Sequence, residues 1–332
     1  MKKILSVLLC LLMLATLLVS CGKAEPLKIG VGTYTEAEAK DASEDANGKA
    51  KATTTVAALT VDADGKIVAC VLDAANATVS YTAEGKAVAN ESFKTKKELG
   101  DNYNMKTYGK AAFEWYEQAD KFAALVIGKT LDEVKALVAG DDGKGTTDVI
   151  NAGCTITVSE FVYAIEEAFK NLVASEATAK DTLKLGVYTE QTCTDATEEK
   201  NGSNKLETTF FAAAVNADAK IVAAYTDCVQ VSFAFDATGK SAFDATKAIT
   251  SKRAAGADYG MSKYGIYQDN NGDGVVKEWN EQAAIFDSKC VGKTASEVAS
   301  LLGEKNYGNS DLQSAGCTIL VNGFVKAAAK IG

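Results

Sequence analysis

The tetrapeptide Ala-Gly-Cys-Thr occurs twice, each time inside a longer run of matching residues. Asp148-Val-Ile-Asn-Ala-Gly153-Cys-Thr155-Ile-Thr157 is answered by Asp311-Leu-Gln-Ser-Ala-Gly316-Cys-Thr318-Ile-Leu320. A fixed-order repeat of this length means two copies of one domain. What both copies keep belongs to the shared architecture, and what one copy has alone is a local addition.

The boundaries follow from aligning the copies. Repeat one spans 27–173, repeat two spans 183–332, and the polar stretch 174–182 links them. Each opens on an alternating strand, Leu27-Lys-Ile-Gly-Val31 and Leu183-Lys-Leu-Gly-Val187. Hairpins follow: Val56–Val61 and Lys66–Val71 flank Asp62-Ala-Asp-Gly65, and Phe210–Val215 and Lys220–Tyr225 flank Asn216-Ala-Asp-Ala219. A further strand is expected at Thr78–Tyr81 and at Val229–Phe235. The second half of each repeat is helical. Glu114-Trp115-Tyr-Glu-Gln118 and Glu278-Trp279-Asn-Glu-Gln282 open amphipathic stretches that stop at Gly128 and Gly292. Thr130 with Glu133, and Thr294 with Glu297, have capping-box spacing. Strands first and helices after predict an α+β protein of two tandem homologous domains, each an antiparallel sheet covered by helices. Each repeat carries its own strands, caps and final helix, so each is expected to fold alone.

The chain start sets the compartment. Lys2 and Lys3 precede an apolar run from Ile4 to Val19, too short for a stable span and flanked like an export signal. The run ends in Leu18-Val19-Ser20-Cys21-Gly22, which resembles the bacterial lipoprotein cleavage box. The resemblance implies removal of residues 1–20 and lipidation of Cys21, anchoring the chain on the extracytoplasmic face of the cell membrane. Residues 21–26 then form a tether of roughly 15–20 Å at about 3.5 Å per residue.

Loss of the signal takes two of the 35 basic residues and none of the 44 acidic ones, moving the net charge from −9 to −11. That balance excludes nucleic acid as a partner. Histidine is absent, which removes Ser-His and Cys-His catalysis, imidazole bases and the usual zinc sites. No convergent acid pair stands out either, so a binding module or an electron carrier is expected rather than an enzyme. Of the cysteines past Cys21, only Cys154 and Cys317 are equivalent between repeats. The lack of repeat symmetry favours free buried thiols over a shared disulfide framework, with a Cys193–Cys228 bridge left open.

Asp64-Gly-Lys-Ile67, Gly128-Lys-Thr130 and Ala152-Gly-Cys-Thr-Ile-Thr157 occur in the order seen in the FMN-binding domain family of redox-pump subunits and Gram-positive surface flavoproteins, which the chain resembles. The resemblance implies a flavin attached or held through its phosphate at Thr155 or Thr318, with Gly153, Thr157 and Gly316 shaping the turn, and a redox partner at the cell surface. A hydroxyl ahead of a helix N-terminus suits a phosphate. Ala152 and Cys154 stand where the family has Ser and Ala, and Leu320 replaces Thr157 in repeat two. Trp115 and Trp279 are either stacking platforms for the ring or core residues beside Phe122 and Phe286. The alternative function is a cofactor-free surface interaction or ligand-binding module.

Repeat two has a local insertion containing Asp269-Asn-Asn271-Gly-Asp273-Gly274, the first half of a calcium loop. Its closing acid is displaced, since Asn280 holds the twelfth position and Glu281 follows. Ca²⁺ is expected in repeat two or not at all, with Asp269, Asn271 and Asp273 as ligands.

Overall fold

The computed structural model describes residues 25–90, 92–261 and 277–332. Repeat one is built on three long antiparallel strands, β1 (Lys28–Lys40), β2 (Gly48–Val61) and β3 (Ile67–Tyr81). Short strands follow: β4 (Ala87–Val88), β5 (Val138–Ala139), β6 (Lys144–Gly145) and β7 (Val173–Ala174). Repeat two repeats the long trio as β8 (Thr182–Thr194), β9 (Gly202–Val215) and β10 (Ile221–Phe235). The sheet orders are β4-β3-β2-β1-β7 and β10-β9-β8, with β5 and β6 forming a separate ribbon. Helices Trp115–Leu125 and Ser159–Lys170 cover the outer face of the first sheet, and Trp279–Cys290 and Asn322–Ala329 cover that of the second. The α+β class expected from the sequence is the one observed.

The strands run much longer than their apolar stretches suggested. The strand expected at 56–61 begins at Gly48, and those expected at 66–71 and 78–81 are one continuous β3. The reason lies on the inner faces. In β2, Gly48, Ala50 and Ala52 are buried while Lys49, Lys51 and Thr53 are not, the period-two signature of a half-covered strand. Small inner residues let the two sheets approach face to face.

That approach creates one core shared by both repeats. Ile29, Val31, Val56, Val79 and Tyr81 pack with Leu183, Leu206, Phe210, Phe233 and Phe235 in a single buried cluster. Tyr81 stacks on Phe235 at 4.4 Å with the rings nearly parallel. The layers therefore run helix, sheet, sheet, helix. The expectation that 27–173 and 183–332 fold independently runs against this cluster, because each half supplies only one wall of it.

A reciprocal clasp fixes the two sheets. Ala42 N donates to Gly239 O and Ala196 N to Gly85 O, each at 2.8 Å. Asp41 Oδ1 accepts from Ser241 N at 2.8 Å, and Asp195 Oδ1 from Ala87 N at 2.9 Å. Asp41-Ala42 and Asp195-Ala196 are equivalent, so the repeats are related by a pseudo-two-fold.

Register also corrects the alignment of the opening strands. Thr35 faces Thr54, and Thr189 faces Thr208, which equates Tyr34-Thr-Glu36 with Tyr188-Thr-Glu190 and Gly32 with Gly186. A Cβ on Gly32 would lie 2.0 Å from Ala168 N, and one on Gly186 would lie 2.0 Å from Ala327 O. Each glycine lets the last helix of its repeat lie directly on the sheet.

Candidate functional site

The two Ala-Gly-Cys-Thr turns have the same geometry, one in each helical layer. Gly153 and Gly316 both adopt φ +94°, a conformation that favours glycine. Cys154 and Cys317 are fully buried, and burial pushes their thiols up to about 11 and about 12, so they are inert packing groups. The threonines are held by a glutamine that follows the tryptophan of the preceding long helix. Thr155 N and Oγ1 donate to Gln118 Oε1 at 2.8 and 3.1 Å. Gln118 Nε2 in turn donates to Phe113 O at 2.9 Å. In repeat two Thr318 N and Oγ1 donate to Gln282 Oε1 at 2.7 and 3.2 Å, and Gln282 Nε2 donates to Lys277 O at 2.8 Å. Both glutamines are buried. Their Trp-x-x-Gln spacing recurs in both repeats, and that was the sequence signal for this latch.

The turn is thus brought together as expected, while its surroundings differ. The last helix begins at Ser159, four residues after Thr155, and Val158 N and Ser159 N both donate to Gly143 O. The N-cap amide and the first helical amide are therefore already bonded. Lys121 and Phe113 lie over Gly153, and Lys277 lies over Gly316. Thr157 sits opposite Lys144 in a β-bridge, and Leu320 occupies the matching bridge with Tyr307. A backbone bridge does not need a hydroxyl, which accounts for Leu at that position. Trp115 and Trp279 are buried and pack on Phe161 and Phe324 at 5.7 and 5.6 Å; they are core residues. For a flavin, Thr155 is exposed and would meet the phosphate end.

Asp269, Asn271 and Asp273 lie outside the described residues, as does Cys21. Among the described residues no group of three or more His, Cys, Asp or Glu is placed to hold a metal ion. No helix of the described residues is long and apolar enough to cross a membrane. Cys193 is exposed and Cys228 buried, and both are free thiols, so the bridge between them is not formed.

Sequence reasoning missed a concavity along the first strand. A cleft of about 960 Å³ lies between the β1 edge from Thr33 to Glu38, the C-terminal part of helix Ser159–Lys170, and segment 243–254 of repeat two. Tyr34 and Tyr163 meet in it at 5.0 Å, and Tyr34 Oη donates to Glu36 Oε1 at 3.1 Å. Among the described residues β7 pairs with β1 only through Lys28 and Ile29. Asn171 Nδ2 then caps Val31 O at 3.0 Å. Leu27, Ile29 and Val31 thus point their backbone groups away from β2, and alternation along the strand gives Thr33, Thr35 and Ala37 the same direction.

The pseudo-two-fold places a second such position at β8, and there it is latched. Gln191 Oε1 accepts from Asn90 N at 2.7 Å, and its Nε2 donates to Val88 O at 2.9 Å. Lys330 pairs with Glu98 at 2.5 Å. The matching residues at the open cleft are Ala37 for Gln191, Glu167 for Lys330 and Ala254 for Glu98. Each lacks the group that would bridge. No protein-family model, curated protein or solved structure matches the chain.

Proposed function

We propose that this chain is a lipid-anchored extracytoplasmic binding protein whose ligand seat is the cleft along β1. One observation carries the reading: of two pseudo-equivalent positions, one is sealed by a glutamine and an ion pair, and the other lacks those groups and has a paired aromatic wall where the first has Tyr188 beneath Lys326. Its volume of about 960 Å³ falls in the range of sites that take whole ligands. Importing the seal gives the test. The variant Ala37→Gln, Glu167→Lys, Ala254→Glu should keep its circular dichroism spectrum and thermal midpoint while losing ligand. In a panel of short peptides and oligosaccharides, at least one class should raise the midpoint of the native chain by several degrees, since a hundredfold excess over Kd contributes about 2.7 kcal/mol. A panel that moves the native chain and the sealed variant alike would reject the cleft.

A covalent flavin on Thr155, serving electron transfer to a redox partner at the cell surface, is the second reading. It is supported by the exposed position of Thr155 and by Lys121 beside Gly153, which would balance a phosphate ester. The ester would cost the Thr155 Oγ1 bond to Gln118 and leave the amide bond in place. Mass spectrometry of the native protein checks this and the anchor together. A flavin mass on the peptide carrying Thr155 would support it, and an unmodified peptide would remove it. The same spectrum should show acylated Cys21, and a free Cys21 thiol would contradict the anchor.

A further inference from the structure

Resting on the reading of the cleft as a ligand seat, we infer that its ligand is an extended polypeptide segment that adds as a strand to the edge of β1, with basic residues alternating with apolar ones. Thr33, Thr35 and Ala37 turn their N–H and C=O groups into the cleft, and among the described residues no strand pairs with them. Such a row repeats at about 6.6 Å, two residues of strand. An extended peptide matches that repeat along its length, which is the physical basis of strand addition. Unpaired edges are normally blunted or covered, and here the described residues of the second repeat stand beside this one without a hydrogen bond to its backbone.

A strand laid beside β1 would present alternate side chains to opposite faces. One set would face outward with Tyr34, Glu36 and Glu38, beneath Glu166 and Glu167 of the helix. Glu166 is paired with Lys135 at 3.0 Å, and Lys170 is held by Glu166 and Glu167 at 3.7 and 2.7 Å, which leaves Glu36 and Glu38 facing Lys51 on that wall, with Lys247 on the repeat-two side of the cleft. Tyr163 adds an aromatic face able to receive a cation. The other set would face inward toward Phe243, Ala248 and Ile249 of repeat two, of which Phe243 and Ile249 already pack on the shared core. Charge complementarity on one wall and apolar contact on the other fix the alternation.

The test uses the purified full chain and the blocked hexapeptide Lys-Val-Lys-Val-Lys-Val, with two versions N-methylated at the lysines or at the valines. Binding is read by calorimetry, with light scattering to report the oligomeric state. The parent peptide should bind with Kd below about 1 mM, and a Glu-for-Lys version should bind at least about tenfold more weakly. At least one methylated version should lose about tenfold or more, because methylation on the edge-facing residues removes the donors. The sealed triple variant should lose the parent peptide. Equal binding by the parent and both methylated versions would overturn strand addition, as would no binding of the parent below about 1 mM. A dimer that forms through β1 and is dispersed by the peptide would make a second copy the occupant and overturn it too. If an oligosaccharide binds the native chain and not the sealed variant while the peptide fails, the cleft remains a ligand seat and this inference alone falls.

Discussion

Expressed separately, residues 27–173 and 183–332 are expected not to reach the native fold. Each half would expose the inner face of its sheet. For the first repeat that face includes Ile29, Val31, Val56, Val79 and Tyr81, all buried in the whole chain. At about 2 kcal/mol for each large side chain, the loss is roughly 10 kcal/mol, which matches the entire stability of an ordinary domain. The clasp is lost as well, leaving Asp41 and Asp195 without the amides they hold. Circular dichroism and amide dispersion of the two halves check this, and mixing them should restore structure that neither has alone. Two halves that are each folded and monomeric would show that the shared core is not needed.

Arg253→Met should destabilise the chain by about 3–5 kcal/mol, the range for stripping a partner from a buried charge. Arg253 Nη1 donates to Asp287 Oδ2 at 2.7 Å and to Thr226 O at 2.9 Å, and its guanidinium lies 3.8 Å from the Tyr225 ring centre. Asp287 also accepts from Thr226 Oγ1 at 2.5 Å. Both members of the pair are about nine-tenths buried. Burial holds the Asp287 carboxyl above its ordinary value, and Arg253 is what keeps the ionised form tolerable. Without it, protonating Asp287 relieves the penalty, so the deficit of the variant should shrink on acidification. Adding Asp287→Leu to Arg253→Met should recover much of the loss. A double variant no better than the single one would show that the pair acts through shape and not through charge. Asp227 gives a separate pH dependence. Burial pushes it up to about 6 in the fold, against about 3.9 unfolded. Its folded form therefore binds the proton more tightly, and its contribution is complete below pH 4 and lost as pH rises through 6. Asp227→Asn should flatten the stability profile in that window.

The local chemistry of the chain was readable from its residues, and the long-range pairing was not. Thr130 and Glu133 form the expected capping box, with Thr130 N donating to Glu133 Oε2 at 2.8 Å. Gly128 and Gly292 take the left-handed backbone expected after a helix. Class and helix positions follow from such signals because each depends on neighbours a few residues apart. The outer ends of the strands escaped notice because Ala50, Ala52 and Thr54 carry too little apolar surface to mark a strand. They are buried only because another repeat lies against them. The turn at Gly153 was found, yet the role of Thr155 depended on Gln118, thirty-seven residues away. The cleft escaped for a related reason. It arises from substitutions between repeats, Ala37 for Gln191, Glu167 for Lys330 and Ala254 for Glu98, which acquire meaning only once the pseudo-two-fold sets them opposite one another.

Residue-resolved amide exchange along β1 is the most direct measurement of whether the edge stands open in the cleft. Tyr34, Glu36 and Glu38 point their amides at β2 and should exchange slowly, at rates set by opening of the sheet. Thr33, Thr35 and Ala37 point theirs into the cleft and should exchange rapidly in the free chain, so protection should alternate residue by residue from 33 to 38. Uniform protection of all six amides in the free monomer would mean that the edge is already covered, and would contradict the account.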